Sequence, residues 1–179
     1  NSADLVLSMT YPSDNSSGSG EVINFTYNKQ MLLNSAIGTN TYVQSTTYDA
    51  ANRIDYRNLN GTLVTDYVYY GWATQGGRLN TTISGTTGDP DLIQSFTYAY
   101  DAWGNIATIN DYVAGSPQTQ TFTYDNLNRI LSAQATGGTG GVGNYGIENF
   151  TYNSTTGNLD SKSGTGTYTY NPTHKHAIA

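Results

Sequence analysis

The stretch Phe122-Thr123-Tyr124-Asp125-Asn126-Leu127-Asn128-Arg129-Ile130 decides how this chain folds. In Phe-Thr-Tyr the two aromatics fall on one face of an extended strand and the threonine on the other, because successive side chains alternate. The aspartate can accept backbone amides two residues on and so open a turn. Asn128 stands where a positive φ is needed, which Gly and Asn supply at least cost. Ile130 returns an apolar side chain to the buried face as a second strand begins. Read in order, the residues spell strand, turn, strand. One detail competes: Leu127, Ile130 and Leu131 fall at helical spacing, and Asn126 can cap a short helix. The triplet before them and the β-like spacing elsewhere favour a turn followed by a strand.

The pattern recurs along the chain. The triplet returns as Phe25-Thr26-Tyr27, Phe96-Thr97-Tyr98, Phe150-Thr151-Tyr152 and Tyr168-Thr169-Tyr170, with Thr46-Thr47-Tyr48 a weaker copy. The turn returns as Tyr48-Asp49-Ala50-Ala51-Asn52-Arg53-Ile54 and Tyr100-Asp101-Ala102-Trp103-Gly104-Asn105-Ile106. Tyr152-Asn153-Ser154-Thr155-Thr156-Gly157-Asn158-Leu159 is the same unit with one residue inserted. Tyr27-Asn28 is followed by Lys29, Gln30 and Met31, so it lacks the Gly or Asn and reads as a decayed copy. Gly76-Gly77-Arg78-Leu79 keeps only the second half.

Self-similarity of this kind marks a repeat architecture. We expect an all-β chain: one repetitive antiparallel β-hairpin ribbon, spiralling or solenoid-like, of about a dozen strands. A single array covers 1–179, with approximate repeats 20–45, 46–66, 67–90, 91–117, 118–145, 146–166 and 167–179. Loops of different length at 85–91 and 136–146 make the spacing irregular. Asp4-Leu5-Val6-Leu7-Ser8-Met9 already reads as strand, and the start at Asn1 without Met suggests a piece of a longer chain. A ribbon has open edges that must be covered or continued. Its expected partners are therefore neighbouring repeats, in the same chain or in identical subunits.

Composition agrees. Charged residues are 11% of the chain, well under the usual quarter, while the 16 tyrosines and abundant Thr suit a pleated surface. Aromatics at 12% argue against disorder. A formal charge of −6 with seven Lys and Arg offers no basic stripe for nucleic acid. No apolar run approaches the length of a membrane-spanning helix. The chain has no Cys, which leaves the compartment open.

Tyr-Asp-x-x-Gly/Asn-Arg/Asn-Ile/Leu, repeated and preceded by aromatic-Thr, resembles the YD repeat of bacterial Rhs proteins. The same repeat occurs in shell components of insecticidal toxin complexes and in animal teneurins. Residues 168–178 resemble the segment that leads into the Rhs core. The resemblance implies a hairpin ribbon winding into a hollow shell, which in bacterial relatives encloses a C-terminal toxin. It also implies a secreted or cell-surface protein, whose partners would be that toxin or surface glycans. The sequence stops before the Rhs core, so that region's self-cleaving aspartate pair has no counterpart here. The residues that define the repeat are Phe25, Tyr27, Tyr48, Asp49, Arg53, Phe96, Tyr98, Tyr100, Asp101, Gly104, Phe122, Tyr124, Asp125, Arg129, Phe150, Tyr152, Gly157, Tyr168 and Tyr170.

Other chemistry is thin. His174 and His176 would point the same way from a strand, but two ligands make a weak metal site, and a strand end explains them. Asp89-Pro90-Asp91 lacks the ligand count of a calcium loop and reads as a solvated turn. The chain has no nucleophile elbow and only two glutamates, Glu21 and Glu148, and its repeated aspartates serve turns. No catalytic residue, cofactor or metal is expected. Sequons stand at Asn15, Asn24, Asn60, Asn80, Asn149 and Asn153, and a composition rich in Asn, Ser and Thr yields several by chance. The tyrosine face can bind sugars, but cross-strand packing within the sheet is the favoured use of the rings. Two functions follow: wall of a toxin-enclosing shell, or an extracellular adhesive fibre of stacked hairpins.

Overall fold

The structure, a computed structural model, describes residues 4–13, 18, 20–113, 117–141 and 143–179. It divides into two compact units, residues 1–72 with 76–95, and residues 73–75 with 96–179. Both are antiparallel and nearly all β.

In the first unit, β1 (Ser8–Thr10), β2 (Val22–Tyr27), β3 (Leu33–Ile37) and β4 (Thr41–Val43) form a sheet in sequence order. β5 (Ser45–Tyr48), β6 (Ile54–Leu59), β7 (Leu63–Tyr69) and β8 (Leu79–Thr86) pair in sequence order as well. A four-residue helical turn, α1 (Trp72–Gln75), follows β7. β9 (Asp89–Tyr100) is one strand whose first half belongs to this unit. The second unit continues with β10 (Ile106–Asp111), β11 (Gln118–Tyr124), β12 (Ile130–Gly137), β13 (Tyr145–Tyr152), β14 (Leu159–Lys162) and β15 (Gly166–Thr167), each paired to the one before. The described residues thus hold 15 strands where about a dozen were expected.

Every Tyr-Asp hairpin carries the same irregularity. Thr123 pairs with Ser132 and Tyr124 with Ile130, so Leu131 is left over as a one-residue β-bulge. The skipped residue is Asn34 opposite β2, Asp55 opposite β5, Asn80 opposite β7, Ala107 opposite β9 and Asp160 opposite β13. A bulge bends its strand, increases local twist and re-aims the side chains beyond it. It also explains the helical spacing of Ile130 and Leu131: two adjacent apolar residues arise because Leu131 sits in the bulge and not on the pleat.

The core is thin. The buried apolar residues are Ile23, Ala36, Val64, Ala133 and Ala135, and among the described residues no large side chain is wholly buried. Small residues suffice because each sheet position is covered by neighbouring strands. The repeat's rings are half-buried, not enclosed.

Three local expectations need correction. Residues 4–7 are not strand, and pairing begins at Ser8; Leu7 still accepts the Phe25 amide at 2.8 Å. His174 and His176 lie in a turn closed by Asn171 N–H to Ala177 O at 2.9 Å, so they do not share a strand face. Asp89 and Asp91 lie within β9, the turn itself falling on Thr87 and Gly88. Asn15 is outside the described residues.

Candidate functional site

Among the described residues, the Tyr-Asp turn is the chemical motif that is built many times. Asp49 Oδ1 accepts the amides of Ala51 at 2.8 Å and Arg53 at 3.0 Å. Asp101 Oδ1 accepts those of Trp103 and Asn105, both at 2.9 Å. Asp125 Oδ1 accepts those of Leu127 at 2.8 Å and Arg129 at 3.0 Å. Two backbone bonds close each turn, as in Asp125 N–H to Arg129 O and Asn128 N–H to Asp125 O, both at 2.9 Å. The residue three after the aspartate has a positive φ: 63° at Asn52, 92° at Gly104 and 59° at Asn128.

Asparagine does the same work. Asn28 Oδ1 accepts the amides of Gln30 and Leu32, both at 2.9 Å, and Met31 holds a φ of 63°. The copy read as decayed is a complete turn. Asn153 and Asn171 also accept two amides each, with Gly157 at a φ of 77° taking up the inserted residue. The half-copy at Gly76-Gly77-Arg78-Leu79 is closed by Tyr70 N–H to Arg78 O at 2.8 Å, the counterpart of the aspartate's clamp, with α1 filling the turn. Gly77 must be small there, since a Cβ would meet the Trp72 ring at 3.0 Å and Arg53 Nη1 at 2.8 Å.

The second carboxylate oxygen holds the side chain that closes the same turn. Asp49 Oδ2 takes Arg53 Nε at 2.7 Å and Nη2 at 2.6 Å, and Asp125 Oδ2 takes Arg129 with the same two distances. Each guanidinium then covers the next tyrosine: Arg53 stands 3.9 Å from the Tyr69 ring centre and Arg129 4.3 Å from that of Tyr152. Arg53 also donates to Gly77 O. Where Asn105 replaces arginine, it bonds Asp101 at 3.0 Å and reaches Asn128 in the next turn at 2.8 Å.

Tyrosine hydroxyls complete the link. Tyr48 donates to Leu33 O at 2.6 Å, Tyr69 to Ile54 O at 2.9 Å, Tyr124 to Ile106 O at 2.9 Å, Tyr152 to Ile130 O at 3.0 Å and Tyr170 to Leu159 O at 2.9 Å. Tyr27 reaches Val6 O at 2.8 Å. In five of these six the acceptor is the first residue of the preceding hairpin's return strand. Spacing alone identified the tyrosine, the turn-former and the left-handed position, but not that the hydroxyl binds the previous repeat. The signal was present: Tyr, not Phe, always precedes the turn. Phe25, Phe122 and Phe150 are half-buried two residues before a turn tyrosine. Phe96 meets Tyr98 edge-on at 6.4 Å, and Tyr168 and Tyr100 are half-buried.

These environments set the charges. The Arg53 guanidinium, with the turn amides, holds the Asp49 carboxyl below its ordinary value. The Asn105 side chain does this first at Asp101, and the Arg129 amide first at Asp125. All three stay ionised at neutral pH with their acceptors committed to the turn. His176 Nδ1 lies 2.7 Å from Asn158 Oδ1, a contact between the last two turns.

No protein-family model and no curated protein matches the chain. Solved structures do. The chain superposes on the crystal structure of TcdB2-TccC3-TEV with a TM-score of 0.66 and 19% identity, covering 87% of this chain and 9% of that one. TcdB2-TccC3 without its hypervariable C-terminal region gives 0.66, 20%, 87% and 9%. A variant of the Photorhabdus luminescens Tc holotoxin pore gives 0.52, 15%, 89% and 11%. The chain thus spans about a tenth of the chains it matches. At these identities the likeness is one of fold: this chain is an array of antiparallel hairpins folded like a stretch of those toxin-complex chains.

Proposed function

We propose that this chain is a non-catalytic segment of the wall of a large Rhs-type protein, secreted or carried at the cell surface, whose hairpin ribbon encloses a toxin. The observation that carries this reading is how the repeat's polar groups are used. Turn carboxylates hold their own turns and arginines, while tyrosine hydroxyls and arginines join one hairpin to the next, which is what a continuous wall needs and what an active site cannot spare. The fold likeness to TcdB2-TccC3 chains supports the same reading. Electron microscopy of the full-length protein that contains this segment tests it. A closed, hollow particle with density inside is expected; an open filament would replace the shell with a fibre of stacked hairpins.

A further inference from the structure

An open cleft of about 710 Å³ lies in the first unit, within the range of small-molecule sites. Tyr11, Glu21, Ile23, Phe25, Ala36 and Tyr42 line it. Apart from Phe25 and Ala36, these residues take no part in the repeat's turns or pairings around a turn. Glu21 sits beside Gly38, where a Cβ would press on its Oε1, so the glycine leaves room for the carboxylate. Oε1 accepts the Thr39 amide at 2.8 Å and Oε2 accepts the Tyr42 hydroxyl at 2.6 Å. Tyr42, first among these donors, holds Glu21 below its ordinary value, so the group is an anion at neutral pH.

A carboxylate has about four acceptor positions, and the Thr39 amide and the Tyr42 hydroxyl hold one on each Glu21 oxygen. The ionised carboxylate also brings a negative charge to the cleft. A saccharide needs free acceptors for its hydroxyls; an alkylated ammonium needs a negative charge and aromatic faces, and donates nothing. Tyr11 and Tyr42, which line the cleft, are 48% and 43% exposed, which leaves ring surface for such a group. The chain's net charge of −6 favours a cation further.

We propose that this cleft binds a quaternary or methylated ammonium group, with Tyr11, Phe25 and Tyr42 supplying aromatic surface and Glu21 the counter-charge. The inference goes beyond the wall reading and stands or falls separately from it. The test is an NMR titration of the folded chain with tetramethylammonium chloride at fixed ionic strength, beside the neutral isostere 2,2-dimethylpropanol and beside maltose. Saturable shifts at Tyr11 and Tyr42 are expected with tetramethylammonium alone. Glu21→Gln, which keeps an acceptor for Thr39, should weaken binding about five- to tenfold through loss of charge, and Tyr42→Leu should weaken it by removing a ring. Undisturbed amide signals from the Asp125 turn would show that each variant is folded. No saturation with tetramethylammonium, equal binding of the neutral isostere, an unaffected Glu21→Gln variant, or shifts produced by maltose instead would each overturn the proposal.

Discussion

Met31 is the residue that the turn chemistry alone would not place. It occupies the left-handed position that Asn52, Gly104 and Asn128 fill elsewhere. For an L-residue with a Cβ that conformation costs roughly 1–2 kcal/mol, and Asn recovers part of it through local hydrogen bonding. Asp49, Asp101 and Asp125 were legible because their function is local: one side chain and its own following amides. Met31 was not, because the strands on either side and Asn28 hold the turn against its preference. Its side chain is 58% exposed, so replacement forfeits little burial. Met31→Asn should therefore raise the unfolding free energy by about 0.5–1 kcal/mol, read from urea denaturation. A variant no more stable than the parent would mean that the surrounding hairpin, and not φ, limits this turn.

At the scale of the hairpin, the repeated bulge and the tyrosine hydroxyl decide how one element meets the next. Alternation of apolar and polar residues predicted strands but not bulges, since a bulge is a property of two paired strands. Its trace was the pair Ile130 and Leu131, which mimicked a helix. Leu131 is 39% exposed, so Leu131→Thr should change stability by no more than about 0.5 kcal/mol. Deleting Leu131 is a different perturbation. It removes the extra residue but leaves Ser132 opposite Thr123 and Ala133 opposite Phe122, so Ala133 and Ala135, 7% and 1% exposed, keep the buried face and only the bend and added twist are lost. We expect the deletion to keep amide-exchange protection along β11 and β12 while lowering it beside the Asp125 turn. Protection lost along both strands would show that the bulge itself, and not the pairing, sets the register. Tyr124→Phe isolates the other device. It keeps the ring and removes the bond to Ile106 O, and should cost about 1 kcal/mol. A neutral result would reduce the hydroxyl series to a by-product of ring packing.

Across the whole molecule, each unit carries turn carboxylates of the same kind, and this gives the chain a common response to acid. The folded values of Asp49, Asp101, Asp125 and Glu21 lie below the ordinary ones. For a carboxylate with a depressed folded value, stabilisation is complete above the unfolded value near 4 and is lost as pH falls through the folded one. Asp66, raised chiefly by burial, and Asp89, raised chiefly by its bond to Asp91, have the opposite sign. They weaken the fold at neutral pH, and that penalty eases as acid is added. The turn aspartates are part of the repeat, whereas Asp66 and Asp89 are isolated substitutions, so the depressed group should govern the profile. The thermal midpoint is expected to be level from pH 7 to about 5 and to fall steeply below about 4. The chain supplies its own control, because Asn28, Asn153 and Asn171 build the same turn without a charge. A triple variant, Asp49→Asn with Asp101→Asn and Asp125→Asn, should fold, lose some stability at pH 7 where Arg53 and Arg129 lose their partners, and show a shallower acid limb than the parent. An acid limb as steep as the parent's would place the proton-linked groups outside the turns.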